Sequence, residues 1–418
     1  MSLAADGRLR VLHIVGGAIS GGAARGALNV STALRGLGVD SRVVCSDPTR
    51  QDLPEGVTSV AADLPGRAMA FARAKIESLP IYAFPKRRSG IFSIGLSGID
   101  WTKRPEYQEA DIIHLHWVNR GMLSIAGLAK LEKPVVWTMR DMWPFTGGCH
   151  YALECDRFQT GCGSCPFLGH ARENDLSAWV IRRKEAYFLN DTTYVGVSDW
   201  LANCARKSKI LAGRDIRSIT NSINPSFFER EPKEQARQML GLPPDRPILV
   251  YGAISLDDAY KGAALLEQAK PKIDVPKLFT CSFGREATSG GIKADKAFGL
   301  ISDDTKMRML FAAADVLAFP STQDASPKVP AEAIASGTPT VVFDATGPGE
   351  IVRHKQTGYA ALPYDVDDFA AGIRWLFEDA ARLQTISEAA AADARARFDP
   401  AIGARRYLEL YNEKLGRV

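Results

Sequence analysis

Short apolar runs alternate along this chain with segments in which apolar residues recur every three or four positions. The first run, residues 10–15 (RVLHIV), ends at Gly16-Gly17, and over 22–37 Ala27, Leu28, Ala33 and Leu34 return on one helical face. Strand, glycine loop and helix are predicted in that order. Runs at 41–45 (SRVVC), 111–116 (DIIHLH), 134–138 (PVVWT), 193–197 (TYVGV) and 216–220 predict further strands, with helices over 121–131 and 200–207. The pattern restarts after Asn224-Pro225. Strands are predicted at 247–251, 277–281, 315–319 and 339–343, and helices at 261–270, 303–313 and 329–336. The remainder, 365–396 and 401–415, is rich in Ala, Leu and Arg and reads as helix. Near-continuous apolar strands alternating with helices imply α/β architecture, with parallel sheets covered on both faces. The division falls within 205–228. It gives an N-terminal Rossmann-like domain over 1–215, a second over 225–400 and a last helix over 401–418.

Composition narrows the class. With 418 residues, 46% hydrophobic and 24% charged, the chain has apolar material for two or three cores and is neither disordered nor fibrous. A net charge of +4 makes no case for nucleic acid. No run approaches the ~20 apolar residues of a membrane span. The opening MSLAADGRLR lacks a signal-peptide core, so a cytoplasmic protein is expected. One stretch departs from the average: residues 66–104 carry eight cations, among them Arg73, Lys86, Arg87 and Arg88, interleaved with Phe71, Tyr82, Phe84 and Phe92. Two readings stand, a solvated loop or a patch resting on an anionic membrane surface or an acidic acceptor.

Two segments carry chemistry. VGGAISGGAARG, with glycines at 16, 17, 21, 22 and 26, follows the first strand, where backbone amides at a helix N-terminus approach phosphate. Glycines needed only for a tight turn are the competing reading. A dinucleotide site is a third, with Asp47 as its ribose-binding acid, although G-x-G-x-x-G is absent. The second segment, PSTQDASPKVPAEAIASGTPTVVF, places Asp324 in a loop and Glu332 eight positions on at a helix start. Both carboxylates then face one site, with loop amides between them able to hold a diphosphate.

Asp324, Glu332, Ala333, Gly337 and Pro339 resemble the motif of the retaining glycosyltransferases of family four, of GT-B fold, with Asp standing where Glu is more usual. That resemblance implies two Rossmann-like domains facing a cleft, with the C-terminal helix crossing back to the first domain. It implies a nucleotide-diphosphate sugar donor: Glu332 on the ribose, Asp324 on the sugar, Lys261 and the Lys328-Val329 amides on the diphosphate, and Gly299 to Ile301 beside the base. The family often has Arg where this chain has Ala253, which leaves Arg285 as a substitute cation. Lys261 capping its own helix is the alternative reading of that residue. In the first domain the resemblance selects His116 as the histidine at the transferred sugar, leaving His114 as a core residue, and sets Gly16-Gly17 to close over the donor.

TMRDMWPFTGGCHYALECDRFQTGCGSCPFLG is similar to a polysaccharide-biosynthesis subgroup with a WPFTGGCH run and three further cysteines, which gives Arg140 and Asp141 a role in acceptor binding. Cys149, Cys155, Cys162 and Cys165, within loop 147–169, offer four thiolates for a closed structural zinc, with His150 and His170 as spare ligands. Disulfides and free thiols remain open beside it. The loop's polar, glycine-containing composition suggests too little apolar area to order it unaided. Retaining hexosyl transfer without a catalytic cofactor or metal, to a glycan on a lipid carrier, is the function implied. A catalytically degenerate sugar-nucleotide binder and an NAD-dependent Rossmann enzyme are the alternatives.

Overall fold

The computed structural model describes residues 8–48, 52–188, 191–255, 258–285 and 293–417. The opening residues 1–7, within the stretch read for a signal peptide, lie outside the described residues. The chain divides into two compact units, Met1–Asn221 with Pro400–Val418, and Ser222–Asp399.

In the first unit β1 (Arg10–Ile14), α1 (Gly22–Gly36), β2 (Asp40–Cys45) and β3 (Val57–Ser59) lead to α2 (Leu64–Ser78) and the short α3 (Pro105–Glu109). There follow β4 (Ile112–Leu115), α4 (Ile125–Leu128), β5 (Val135–Met139), α5 (Leu176–Tyr187), β6 (Thr192–Gly196), α6 (Asp199–Lys207) and β7 (Ile216–Ser218). The strands form one parallel sheet in the order β3-β2-β1-β4-β5-β6-β7. At its amino edge Asp111 accepts from the Arg10 N–H at 2.9 Å, which pins the start of β1 beside β4.

The second unit begins with α7 (Lys233–Leu240), β8 (Ile248–Ser255), α8 (Ala263–Ala269), β9 (Phe279–Arg285), β10 (Lys296–Ala297), α9 (Asp304–Ala313) and β11 (Val316–Phe319). It continues with α10 (Lys328–Ala335), β12 (Thr340–Phe343), α11 (Thr346–Ile351), β13 (Gly358–Ala361), α12 (Val366–Phe377) and α13 (Ala380–Phe398). Its sheet is also parallel, in the order β10-β9-β8-β11-β12-β13. Asp315 mirrors Asp111: it accepts from the Ile248 N–H at 2.7 Å and is held by Arg237 at 2.8 Å and Lys233 at 2.7 Å. Both architectures agree with the alternating apolar runs, and together they are the expected pair of Rossmann-like sheets.

The last helix, α14 (Pro400–Lys414), belongs to the first unit. Its Ala404, Tyr407, Leu410 and Tyr411 share a core with Val11, Val30, Leu34, Ile112 and Val136. Two buried hydroxyls fix its position: Tyr411 engages His114 Nδ1 at 2.6 Å, and Tyr407 engages Thr138 Oγ1 at 2.7 Å.

Several expectations are corrected. Residues 121–131 are not one helix, because Arg120 and Gly121 adopt left-handed backbone and only Ile125–Leu128 is helical behind a Ser124 cap. The stretch 365–396 breaks at Asp379, whose carboxylate accepts from the Ala381 and Arg382 amides and starts a new helix. The solvated-loop reading of 66–104 fails over its opening residues, since Asp63 caps α2 and Pro65 sits in its first turn. Among the described residues no helix is long and apolar enough to cross a membrane.

Tyr411→Phe removes the hydroxyl that engages His114 while leaving the packing in place. It should lower the stability of the first unit by about 1–3 kcal/mol, measured by urea denaturation, because the buried imidazole nitrogen is left unsatisfied. An unchanged midpoint would show that the hydrogen bond does not hold the helix.

Candidate functional site

In each unit several of the residues singled out from the sequence follow the carboxyl ends of the strands between which strand order reverses. Open α/β sheets bind ligands at that position, because loops leaving the two strands run to opposite faces. In the second unit the reversal lies between β8 and β11. Lys261 comes from the loop after β8 and Asp324 from the loop after β11, and the two meet as an ion pair of 2.7 Å. The pair is largely buried, with side chains 18% and 12% exposed, so it is less screened than a surface pair. Gly262 makes the approach possible: its φ is +72°, and a Cβ there would stand 2.0 Å from the Pro320 carbonyl oxygen. Thr322 N–H donates to the Tyr260 carbonyl at 2.8 Å, fastening one loop to the other.

Glu332 is buried on α10. Lys328 and Val329 open that helix behind Pro327, and no side chain caps it. The α10 macrodipole therefore favours an anion at its start. Arg285 is exposed at the tip of β9, beside Ser255 at the end of β8. Ile301 is half-buried against the core of the unit, and the Gly299 carbonyl accepts from the Gly284 N–H at 2.8 Å.

The first unit reverses between β1 and β4, and its chemistry is different. Three fully buried histidines, His13, His114 and His116, stack with ring centroids 4.2–5.2 Å apart. His116 Nε2 bonds His13 Nδ1 at 2.9 Å, and Arg140 Nη2 lies 3.1 Å from its Nδ1. His114 bonds Tyr411 and Thr138. Both nitrogens of His116 are thus taken by protein groups, and it holds Arg140 in place instead of presenting a free imidazole. The strand ends at Leu115, so the two-residue alternation used to separate His114 from His116 does not reach position 116. His13 was missed by sequence reasoning. Its signal was the matching His at the carboxyl end of the neighbouring strand, where His13 pairs in register with His114.

Arg140 also donates to Asn221 Oδ1 at 2.7 Å and lies against Gly26 of α1, where a Cβ would stand 2.4 Å from Nη1. The Asp141 carboxylate is committed within the chain, accepting from the Trp143 amide at 2.9 Å and pairing with His150 Nδ1 at 2.6 Å. Neither it nor His150, whose Nε2 meets Ser93 Oγ at 3.0 Å, stands free for a ligand.

The glycine loop is also corrected. Gly16 N–H donates to the Trp117 carbonyl and Gly17 N–H to Ser46 Oγ at 2.8 Å, so neither amide is open to phosphate. Close packing explains Gly16, since a Cβ would meet the Asn119 carbonyl oxygen at 2.5 Å, and a φ of +83° explains Gly17. Asp47 is buried and accepts from the Ile19 amide at 2.9 Å, closing the loop on itself rather than offering a ribose ligand. Open helix-start geometry lies further on, where α1 begins at Gly22 without a side-chain cap.

Cys149, Cys155, Cys162 and Cys165 line one small cavity with Phe92, Ala152 and Phe158. None of the seven cysteines is joined in a disulfide. Among the described residues only His13, His114 and His116 bring three candidate ligand atoms within 4.8 Å of one another, so the four sulfurs share the cavity at wider spacing. The loop has more apolar anchorage than its composition suggested, with Ala152, Phe158 and Leu168 buried. His170 is not among the cavity's lining residues.

On the outer side of α2 and the turn that follows, Leu64, Met69, Phe71, Leu79 and Tyr82 are each more than half exposed. Lys75, Lys86, Arg87 and Arg88 are exposed among them. The helix is fastened from beneath by buried Glu77, which accepts from the Gly95 and Ser97 amides at 2.9 and 2.7 Å. Arg73 faces inward: it is half-buried, with its Cβ against Gly121.

Comparison with known proteins gives this arrangement a context. Residues 20–227 match the family described as Glycosyltransferase Family 4, and residues 233–393 match that described as Glycosyl transferases group 1. The two matches fall one in each half of the chain. It is 29% identical over 221 residues to a D-inositol 3-phosphate glycosyltransferase of Thermobispora bispora, covering 49% of this chain and 51% of that protein. The chain thus spans about half the length of that relative. It is 24% identical over 268 residues to the putative colanic acid biosynthesis glycosyl transferase WcaC of Escherichia coli, covering 60% of this chain and 63% of that protein. Among solved structures, a sucrose-phosphate synthase of Thermosynechococcus elongatus aligns at a TM-score of 0.68 and 18% identity, over 98% of this chain and 100% of that one. Anabaena HepE in complex with UDP and glucose aligns at 0.61 and 17%, over 96% and 99%. The fold is that of the GT-B glycosyltransferases.

The histidine stack makes the first unit sensitive to acid. Burial, with Arg140 and Arg35 adding to it, lowers His13 to about 3; burial chiefly, with Arg140 and the neighbouring imidazoles, holds His114 and His116 well below their ordinary range. In the unfolded chain all three titrate near 6.5, so below that pH the unfolded state binds more protons. Stability should be full above about pH 6.5 and fall as pH drops toward the folded values, by up to about 1.4 kcal/mol per pH unit for each histidine. Denaturant midpoints at about pH 7.5, 6 and 5 check this, and a flat profile over that range would contradict neutral burial.

Proposed function

We propose that this chain, built from a glycosyltransferase family 4 domain and a glycosyl transferases group 1 domain, moves a hexose from a nucleotide-diphosphate sugar to a glycan, with retention at the anomeric carbon, in cell-surface or exopolysaccharide synthesis. The observation that carries the reading is the Lys261–Asp324 pair at the strand reversal of the second unit, with the uncapped start of α10 and buried Glu332 following in the same chain segment. A cation, an open helix N-terminus and carboxylates suit a diphosphate flanked by sugar and ribose hydroxyls. The UDP and glucose in the HepE complex, and the colanic acid assignment of the WcaC relative, support the donor class and the pathway class.

In this reading Asp324 orients the Lys261 ammonium before the donor arrives and then shares it with the diphosphate. As the bond from the anomeric carbon to the leaving phosphate oxygen breaks, charge grows on the diphosphate, where Lys261 and the first amides of α10 stabilise it. The acceptor oxygen forms its bond on the same face, and its proton passes to the departing phosphate oxygen. No metal is required for these steps. Glu332 binds the ribose and takes no part in bond breaking.

The acceptor is a lipid-linked glycan reached at a membrane surface. The exposed apolar residues of α2 and the cations of 86–88 suit insertion into the interface of an anionic bilayer, the apolar side chains entering the headgroup boundary and the cations meeting lipid charge.

Lys261→Ala should lower turnover by about a hundred-fold or more while nucleotide affinity changes less, because the charge it meets grows in the transition state. Glu332→Gln should weaken nucleotide binding about ten-fold or more in calorimetry. Parental turnover in the lysine variant, on a donor panel with lipid-linked acceptors, would falsify the assignment.

For the membrane, Lys86→Ser, Arg87→Ser and Arg88→Ser together should reduce co-sedimentation with phosphatidylglycerol vesicles about a hundred-fold, at about 1 kcal/mol per charge, and Phe71→Ser with Leu79→Ser should reduce it in neutral vesicles too. Binding that is weak in the parent and indifferent to salt would remove the membrane from the proposal.

A further inference from the structure

The four-cysteine segment lies outside the donor chemistry, and it contains a second feature that its sequence did not show. Residues 161–164 adopt positive φ four times in succession, at 126°, 59°, 93° and 44°, two of them on non-glycine residues, Cys162 and Ser164. Left-handed backbone on Cys and Ser is uncommon and costs energy, so the turn is held by what surrounds it. The Gly147 N–H donates to Cys162 Sγ at 3.2 Å, the Gly163 N–H to Ser177 Oγ at 2.9 Å and the Cys165 N–H to the buried Asp175 carboxylate at 2.8 Å. The effect is to turn Cys162 and Cys165 toward the cavity that Cys149 and Cys155 also line.

Behind this cavity lies Lys184 of α5, fully buried. Its ammonium donates to the Trp143 and Thr146 carbonyls and sits 3.9 Å from the Trp143 ring centroid. These partners are all neutral. Cys162, Cys149 and Asp141 are the acidic groups whose field reaches it, and Asp141 is already committed to His150. Burial lowers the Lys184 ammonium to about 7, a cost that neutral dipoles do not offset and that a negative charge in the adjoining cavity would.

We propose that Cys149, Cys155, Cys162 and Cys165 bind one structural zinc ion as a tetrathiolate, with Lys184 offsetting its charge. Each thiol releases its proton as the metal binds, so Zn2+ replaces four protons and leaves a site of charge −2, reduced to −1 by the ammonium. With Zn–S bonds of about 2.3 Å the sulfurs draw in from their present spacing to roughly 3.8 Å apart. All four positions are filled by protein, so the ion carries no water and performs no chemistry. Its role is to order the loop that follows Arg140 and Asp141 at the carboxyl edge of β5. The proposal stands whether or not the chain transfers sugar.

The test uses the full chain, purified under reducing conditions without added metal. Elemental analysis should find about one zinc per chain, and exchange with Co2+ should give the intense thiolate-to-cobalt absorption of a tetrahedral sulfur site. Lys184→Met should keep the stoichiometry but pass its zinc to a chromogenic chelator about ten-fold faster than the parent, while Lys184→Arg, which keeps the charge, should release it more slowly than Lys184→Met. Cys155→Ser, at a partly exposed position, should lose the cobalt band, while Cys204→Ser, remote in sequence from the loop, should keep it. Zinc far below one per chain after incubation with Zn2+, with the four thiols titrating freely in the native protein, would overturn the site. So would two disulfides found by mass spectrometry after alkylation.

Discussion

A parallel sheet that reverses the direction in which strands are added must send its connecting loops apart, and both units of this chain depend on that separation. Between β1 and β4, and again between β8 and β11, one connection leaves toward each face and the carboxyl edge stays open. The opposite edge is fixed by an aspartate in each case. Asp111 and Asp315 sit just before the fourth and eleventh strands and take the first amide of the neighbouring strand. Register is thereby set at the amino end of each sheet, apart from the carboxyl ends where the candidate residues lie.

The two openings are filled in opposite ways, and burial explains the difference. In the second unit Lys261 and Asp324 meet as an ion pair at 2.7 Å, each offsetting the other in a largely buried place. In the first unit three imidazoles are packed too deeply to be charged, and they form a neutral hydrogen-bonded stack tied at one end to Tyr411 and at the other to Arg140. The C-terminal helix consequently belongs to the first unit's polar interior. A neutral stack is rigid and undemanding at neutral pH, and it places one guanidinium, which Asn221 and His116 orient and the missing side chain of Gly26 accommodates.

What the sequence disclosed follows from which features are local. Apolar runs such as PILVY and DVLAF marked buried parallel strands because both faces are covered, and the Asp324 to Glu332 spacing survived intact into a loop and a helix. Three edge strands escaped notice, Val57–Ser59, Lys296–Ala297 and Gly358–Ala361, because none carries the run of Val, Ile or Leu that marked the others. Helix α2 was hidden because its apolar residues face outward and only Glu77 is buried, which inverts the pattern that sequence reading relies on. Individual roles were harder still. Gly16 and Gly17 looked like a phosphate loop, yet the partners that occupy their amides, Trp117 and Ser46, follow other strands. His13 gained meaning only when β4 was laid beside β1.

The β8–β9 edge shows how backbone geometry limits where a cation stands. At position 253 the chain has Ala, buried on β8, and the adjoining strand comes close: Gly284 on β9 has a φ of +106°, and a Cβ there would lie 1.7 Å from the Ala253 carbonyl oxygen. The two backbones are in direct contact, next to a register shift between Gly252 and Ser255. A long side chain at 253 would have to leave this tight junction through a buried position. At Arg285 the obstacle is gone, because the strand has ended, the residue pairs with Ser255 and its side chain is exposed. A cation at 285 thus stands at the carboxyl edge of the sheet without crowding the junction between β8 and β9.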